Sequence, residues 1–300
     1  VEEEPVEEVV EEVTYPPAPE CIEVGSALSL TGKFADLSNL ILPGYEIAVE
    51  HINAEGGVFV EEYNAKIPLC LYYYDDESDP TNTVTKMEAL NSEHNLTAYL
   101  GGGGSSMHAA AIPVSFKYQV PYLGISFALY SIHQQGYNNL FSPFPKSPAQ
   151  AEDVFKILND TIPEGERPTK VAMFMYNDDW GKDWGDLAKK FAPEYGYEIV
   201  VYEEQPAKPN DWTDAILKAQ AAGAEALLTM PIFPDGSAMF TTMAELGWTP
   251  KFALVIRAPE GVNWGESLGK IGDYVTIFPG WHHAANFEGV DKLNERHQEL

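Results

Sequence analysis

The sequence predicts an α/β protein of two lobes, each a parallel β-sheet covered by helices. Three observations carry this. Apolar runs that read as strands alternate with segments of helical period, the pattern of a parallel sheet with crossover helices. The alternation halts at the proline-rich stretch FSPFPKSP and then begins again. And 300 residues, 45% hydrophobic and 21% charged, are too many for one ordinary domain and apolar enough for two cores.

The elements follow in order. Residues 1–20, VEEEPVEEVVEEVTYPPAPE, form an acidic tether, because glutamates repel one another and prolines stiffen the chain. Residues 22–28 read as a strand and SLTGKFADLS as a loop. Residues 43–53, with Ile47, Ala48 and Ile52 on one face, read as a helix stopped by Gly56 and Gly57. Residues 66–74 read as one strand. Asp79-Pro80-Thr81 starts a helix through Met87 and Leu90. Residues 98–100 are a short strand ending in the run Gly101 to Gly104, Ser105, Ser106; a helix and a strand at 121–125 follow.

The second series has strands at 170–176, 198–203, 226–230, 252–256 and 274–278. Helices are expected at 149–158, 183–195, 211–222 and 235–246, the last two stopped by Gly223 and Gly247, and another at 289–300. The lobes are therefore expected at 21–144 and 145–285, with 286–300 returning to the first. Binding sites in such sheets lie at the carboxyl ends of the strands.

Charge excludes some partners. With 46 acidic and 18 basic residues the formal net charge is -28, which disfavours nucleic acid and anionic lipid surfaces. No apolar run is long enough to span a membrane as a helix. GxSxG, GxxxxGK[ST] and HExxH are absent, and no carboxylate pair is marked out, so an enzyme is not expected. The glycine run makes a poor dinucleotide loop: it follows a third strand, Ser106 replaces its last glycine, and Pro113 interrupts the helix. Trp281, His282 and His283 follow the last expected strand; adjacent histidines face different ways, so no metal and no cofactor are expected. Cys21 and Cys70 read as two buried free thiols, with one disulfide between neighbouring strands as the alternative.

Five segments in order resemble the type I solute-binding proteins of branched-chain amino acid (Leu/Ile/Val) ABC transporters. They are SLTGKFADLSNLILPGYEIAVEHINAEGGV, YYYDDESDPTNTVTKMEAL, GGGGSSMHAAAIPV, VAMFMYNDDWGKDWGD and RAPEGVNW. The resemblance implies the type I periplasmic binding protein fold: two Rossmann-like lobes joined by a hinge, with a ligand cleft between them. It implies an extracytoplasmic protein, held at the membrane only through a lipid anchor on the acidic tether or secreted, that delivers its ligand to a transporter permease. The family usually continues some tens of residues beyond this end.

The resemblance also implies a site. Ser105, with Ser106 beside it, matches the serine that holds the ligand carboxylate. Close-approaching glycines and a helix N-terminus favour an anion there in any case. Phe127 and Ala128 fall where relatives place a backbone carbonyl and a threonine hydroxyl; the threonine is missing and Ser126 is the substitute. Trp180, before Gly181, and Phe233 match aromatic walls, and Leu37 a first-lobe wall. Glu260 matches the acid that pairs with a ligand ammonium, with Asp235 a weaker competitor. The expected ligand is a small amino acid-like solute, branched-chain in the first instance. The missing threonine and the gained tryptophan keep amides, urea and aromatic acids open. A sensor or receptor domain on the same fold is the rival function.

Overall fold

The computed structural model describes residues 14–205, 211–261, 263–279, 282 and 284–299. In the first sheet, β1 (Ile22–Leu28) pairs in parallel with β4 (Leu69–Asp75) on one side and β5 (Ala98–Leu100) on the other. β6 (Tyr122–Leu123) and β7 (Leu140–Phe141) extend it, giving the order β4-β1-β5-β6-β7. The crossovers are α1 (Ala35–Ala54), α2 (Pro80–Glu93) and α3 (Ser105–Tyr118). The second sheet is parallel too, in the order β11-β10-β8-β9: β8 is Lys170–Tyr176, β9 Glu198–Gln205, β10 Ala226–Thr229 and β11 Phe252–Val255. Its helices are α4 (Ser147–Thr161), α5 (Asp179–Glu194), α6 (Thr213–Ala221) and α7 (Phe233–Glu245).

Residues 171–176 of β8 are all buried, as a strand covered on both faces requires. Its alternating side chains serve two cores. Val171, Met173 and Met175 join Phe155, Trp184 and Ala188 from α4 and α5. Ala172 and Phe174 join Ile216 and Met239 from α6 and α7. The first of these cores continues through Phe127 and Ile112 into the other lobe.

Several elements depart from the sequence reading. α1 begins at Ala35, eight residues before the expected start, and runs through Pro43. The carbonyl that Pro43 leaves without a donor belongs to exposed Asn39, where water can serve it. The expected strand 66–74 is two, broken at Pro68: β3 (Ala65–Ile67) folds back on β2 (Val58–Val60), and β4 starts afresh at Leu69. Asn53 fixes that start by bonding both the Leu69 N–H and its carbonyl. α5 begins at Asp179 because the Asp178 carboxylate caps it, accepting from Gly181 N at 2.8 Å. Residues 274–278 form only an isolated bridge at Thr276; Tyr274, at φ 62° and fully exposed, breaks any strand there.

The free-thiol reading of the cysteines is overturned. Cys21 and Cys70 are disulfide-bonded, Cα to Cα 5.8 Å, because parallel pairing sets Ile22 opposite Leu69 and Glu23 opposite Cys70. After the short α8 (Asn263–Leu268), α9 (Val290–Glu299) packs on α1, with Arg296 bonding Glu50 at 2.7 Å. Trp281, His283 and residues 1–13 of the acidic segment lie outside the described residues. No helix among the described residues is long and apolar enough to cross a membrane.

Candidate functional site

Each sheet reverses its strand order once. In the first, the chain leaves β1 for β4 on one side and β5 on the other; in the second, it leaves β8 for β9 on one side and β10 on the other. Loops at the carboxyl ends part at such points and leave a crevice. Here the two crevices face each other and line one cavity of about 60 Å³.

The wall from the first lobe is built on the glycine run. Gly104 sits at φ 87°, where a side chain would be strained, and precedes the first turn of α3. His108, fully buried one turn on, places its Nδ1 2.8 Å from the Gly104 carbonyl. Its ring packs on Phe127, 4.6 Å between centroids, so one residue steadies both loops. Burial pushes the His108 pKa down to about 4, the charge of Lys146 adding to this and the Gly104 carbonyl opposing it. The neutral ring therefore donates from Nδ1 to Gly104 O. Ser105 is buried at the α3 N-terminus, where unpaired backbone N–H groups favour an anion.

The loop after β6 is held by its own acceptors. Gly104 N donates to Ser126 O at 3.1 Å, and Lys146 Nζ donates to Phe127 O at 2.6 Å. Ala128 O accepts from both the N–H and the hydroxyl of Ser147, at 2.8 and 2.9 Å. The backbone carbonyl that the resemblance offers to a ligand, that of Phe127, thus already accepts a hydrogen bond within the protein. Burial also lowers the Lys146 pKa to about 8.

The second lobe supplies Trp180 from the first turn of α5. Gly181 is required beside it, because a Cβ there would stand 2.1 Å from Tyr176 O. Tyr176 donates its hydroxyl to Asp235 at 2.6 Å and accepts from Ile232 N at 2.9 Å, tying the loop after β10 to the end of β8. Asp235 is therefore a buried brace, and it does not line the cavity. After β11 the chain makes a γ-turn with Arg257 at its centre (φ 78°, ψ -65°), closed by Ala258 N donating to Ile256 O at 3.2 Å. A non-glycine residue there costs roughly 1–3 kcal/mol and persists only where its surroundings enforce it. The turn carries the guanidinium over the Trp180 ring, 4.2 Å from its centroid.

The structure gathers Leu37, Ser105, Ser126, Phe127, Ala128, Trp180 and Glu260 around this cavity. Phe233 lines an adjoining, more apolar cavity of about 300 Å³ with Phe34, Leu40 and Ile232; Leu37, Arg257 and Glu260 border both. Ser106 is exposed and lines neither, because one residue of helix turns it away from Ser105. Glu260 is walled by protein yet presents its surface to the open cleft. Burial raises its pKa, with the Arg257 charge and the N–H of Arg257, which donates to Glu260 at 3.3 Å, opposing.

A family model described as periplasmic binding protein matches residues 21–299. The chain belongs to the periplasmic binding protein family. Among curated relatives it is similar to Leu/Ile/Val-binding protein homolog 7 of Brucella abortus, 27% identical over 263 residues, covering 86% of this chain and 63% of that protein. The chain thus spans less than two thirds of that relative's length. Among solved structures it is similar to a leucine-binding protein from Thermotoga maritima (TM-score 0.80, 16% identity, 93% of this chain and 75% of that one). It is equally similar to the branched-chain amino acid transporter substrate-binding protein of Streptococcus pneumoniae solved with isoleucine (TM-score 0.80, 18% identity, 93% and 77%). At these identities the structures establish the fold: the type I periplasmic binding protein architecture expected from the sequence.

Two polar side chains lining the inner cavity escaped the sequence reading. Gln150, in α4 and 4% exposed, carried no motif; only the packing of α4 across the lobe junction brings it to the cavity. Arg257 had a signal: a lone arginine directly after the apolar strand FALVI, at the carboxyl end of a sheet, in a chain poor in basic residues.

Proposed function

We propose that this periplasmic binding protein is the extracytoplasmic substrate-binding component of an ABC transporter, capturing a small amino acid-like carboxylate between its lobes. The observation that carries the reading is the shared cavity, walled by both switch-point crevices with the buried Ser105 at a helix N-terminus. The first lobe takes a carboxylate on Ser105 and the α3 N–H groups. The second lobe then closes with Trp180 and Glu260, while the outer apolar cavity near Phe233 takes the ligand's side chain. Binding energy realised only in the closed form drives closure. The protein does no chemistry on its ligand and hands it to a permease; a lipid anchor or secretion places it outside the cytoplasm.

The test is a thermal shift panel of leucine, isoleucine, valine, acidic amino acids, amides, urea and aromatic acids. A ligand at about a thousand times its Kd stabilises by about 4 kcal/mol, which moves the midpoint by several degrees. A shift with any member supports solute capture. No shift with any of them overturns it.

A further inference from the structure

We infer that the ligand carries a second acidic group, and that Arg257 in the second lobe binds it. This rests on the capture reading above and narrows the ligand class to small acids of net negative charge: acidic amino acids or dicarboxylates. Donors outnumber free acceptors around the inner cavity.

Arg257 borders both the inner and the outer cavity. Its Nη1 is closed off from solvent and has no hydrogen-bond partner among the described residues, and no carboxylate there lies within ion-pairing distance of it. An arginine cannot relieve this by releasing its proton. The indole Nε1 of Trp180, a residue 5% exposed on the same wall, is also without a partner. Both are donors, and buried donors are rarely left unmet. Across the cavity the helix N-terminus at Ser105 adds more donors. The backbone acceptors of the cavity are already engaged, Ser126 O by Gly104, Phe127 O by Lys146 and Ala128 O twice by Ser147, and the buried amide oxygen of Gln150 is the one lining acceptor without a partner among the described residues. Glu260 is the one carboxylate lining the inner cavity; its charge and that of Asp178 act on Arg257 from beyond ion-pairing distance and leave the guanidinium without a paired acceptor. A neutral zwitterion with one carboxylate would satisfy Ser105 and leave the enclosed Nη1 of Arg257 unmet beside an apolar side chain. A second carboxylate meets the planar fork of Arg257 in bidentate geometry. The strained turn that aims Arg257 inward accords with a working role for this side chain.

The experiment is isothermal titration of the wild-type chain with L-glutamate, L-aspartate, glutarate and L-leucine, repeated with Arg257→Leu and Arg257→Lys. Circular dichroism and thermal unfolding of each variant establish that it is folded. The expected result is binding of at least one of the three acids more tightly than leucine. Arg257→Leu then weakens that acid about tenfold or more, and Arg257→Lys less. Leucine binding as tightly as the acids, with Arg257→Leu leaving it unchanged or tighter, overturns the inference while solute capture stands. Equal weakening of acids and leucine in a folded Arg257→Leu assigns the residue to the shape of the wall and also overturns it. Binding of nothing in this set, in a chain that responds to another solute of the thermal panel, overturns the inference alone; no response to any solute overturns both.

Discussion

His108 couples the stability of the fold to the geometry of the glycine loop, and acidification tests that coupling. The ring is fully buried and neutral, its pKa pushed down to about 4 chiefly by burial, against 6.5 for a free histidine. Above the unfolded value neither state binds the proton and the full contribution is present. As pH falls below about 6.5 the unfolded chain takes up a proton that the folded chain refuses, so stability declines until the folded ring protonates near pH 4. A gap from about 4 to 6.5 corresponds to about 3 kcal/mol. Many carboxylates titrate over part of the same range, so the measurement is a difference: urea unfolding of wild type and His108→Gln at pH 7, 6, 5 and 4. Glutamine keeps a donor near the Gly104 carbonyl and does not titrate. The stability advantage of the wild type over the variant is expected to shrink by roughly 1.4 kcal/mol per pH unit below pH 6. Curves that run parallel from pH 7 to pH 4 would refute the neutral buried histidine and the loop anchor built on it.

Other perturbations follow from the same geometry. Ser105→Ala and Glu260→Ala are each expected to weaken binding of the identified ligand by roughly 1.5–3 kcal/mol, read by titration calorimetry; wild-type affinity in both removes them from the site. Reducing Cys21–Cys70, or replacing both with alanine, opens a loop spanning 49 residues in sequence. Chain entropy puts the cost at about 4 kcal/mol, measured as a lower denaturation midpoint, and an unchanged midpoint denies the bond its stabilising role. Gly181→Ala forces a Cβ to within 2.1 Å of Tyr176 O and must displace the start of α5. It is expected to cost roughly 1–3 kcal/mol in stability and to disturb Trp180 fluorescence; a variant matching wild type in both contradicts the close approach.

Local signals made much of the second lobe legible. β8 announced itself as VAMFMY, a run only a doubly covered strand needs, and α6 and α7 stopped where Gly223 and Gly247 stand in the left-handed region. α2 was readable from Asp79 and Pro80, whose cap accepts from Thr81 N and Asn82 N. Signals failed where distant groups decided the outcome. α1 continues through Pro43 because Ser38 and Ile47 are buried by the fold around them. Strand 274–278 fails because Tyr274 takes a left-handed conformation that β-branched and aromatic enrichment does not reveal.

The sequence by itself determined the two parallel-sheet lobes, because hydrophobic period and glycine stops are properties of neighbouring residues. It also marked the segments whose loops meet at the cavity, since motif order survives without coordinates. Only the tertiary structure decided what those loops can do. Cys21 and Cys70 become one bond through the register of two strands that the chain visits far apart. The carbonyls of Phe127 and Ala128 accept from Lys146 and Ser147, a fact set by three-dimensional proximity alone. Arg257 faces the cleft because a γ-turn and the Trp180 ring aim it there, and neither can be read from its neighbours in sequence. Hydrogen-bond satisfaction is a property of the packed chain, so which donors and acceptors the cavity leaves unmet lies in the fold, while the family lies in the sequence.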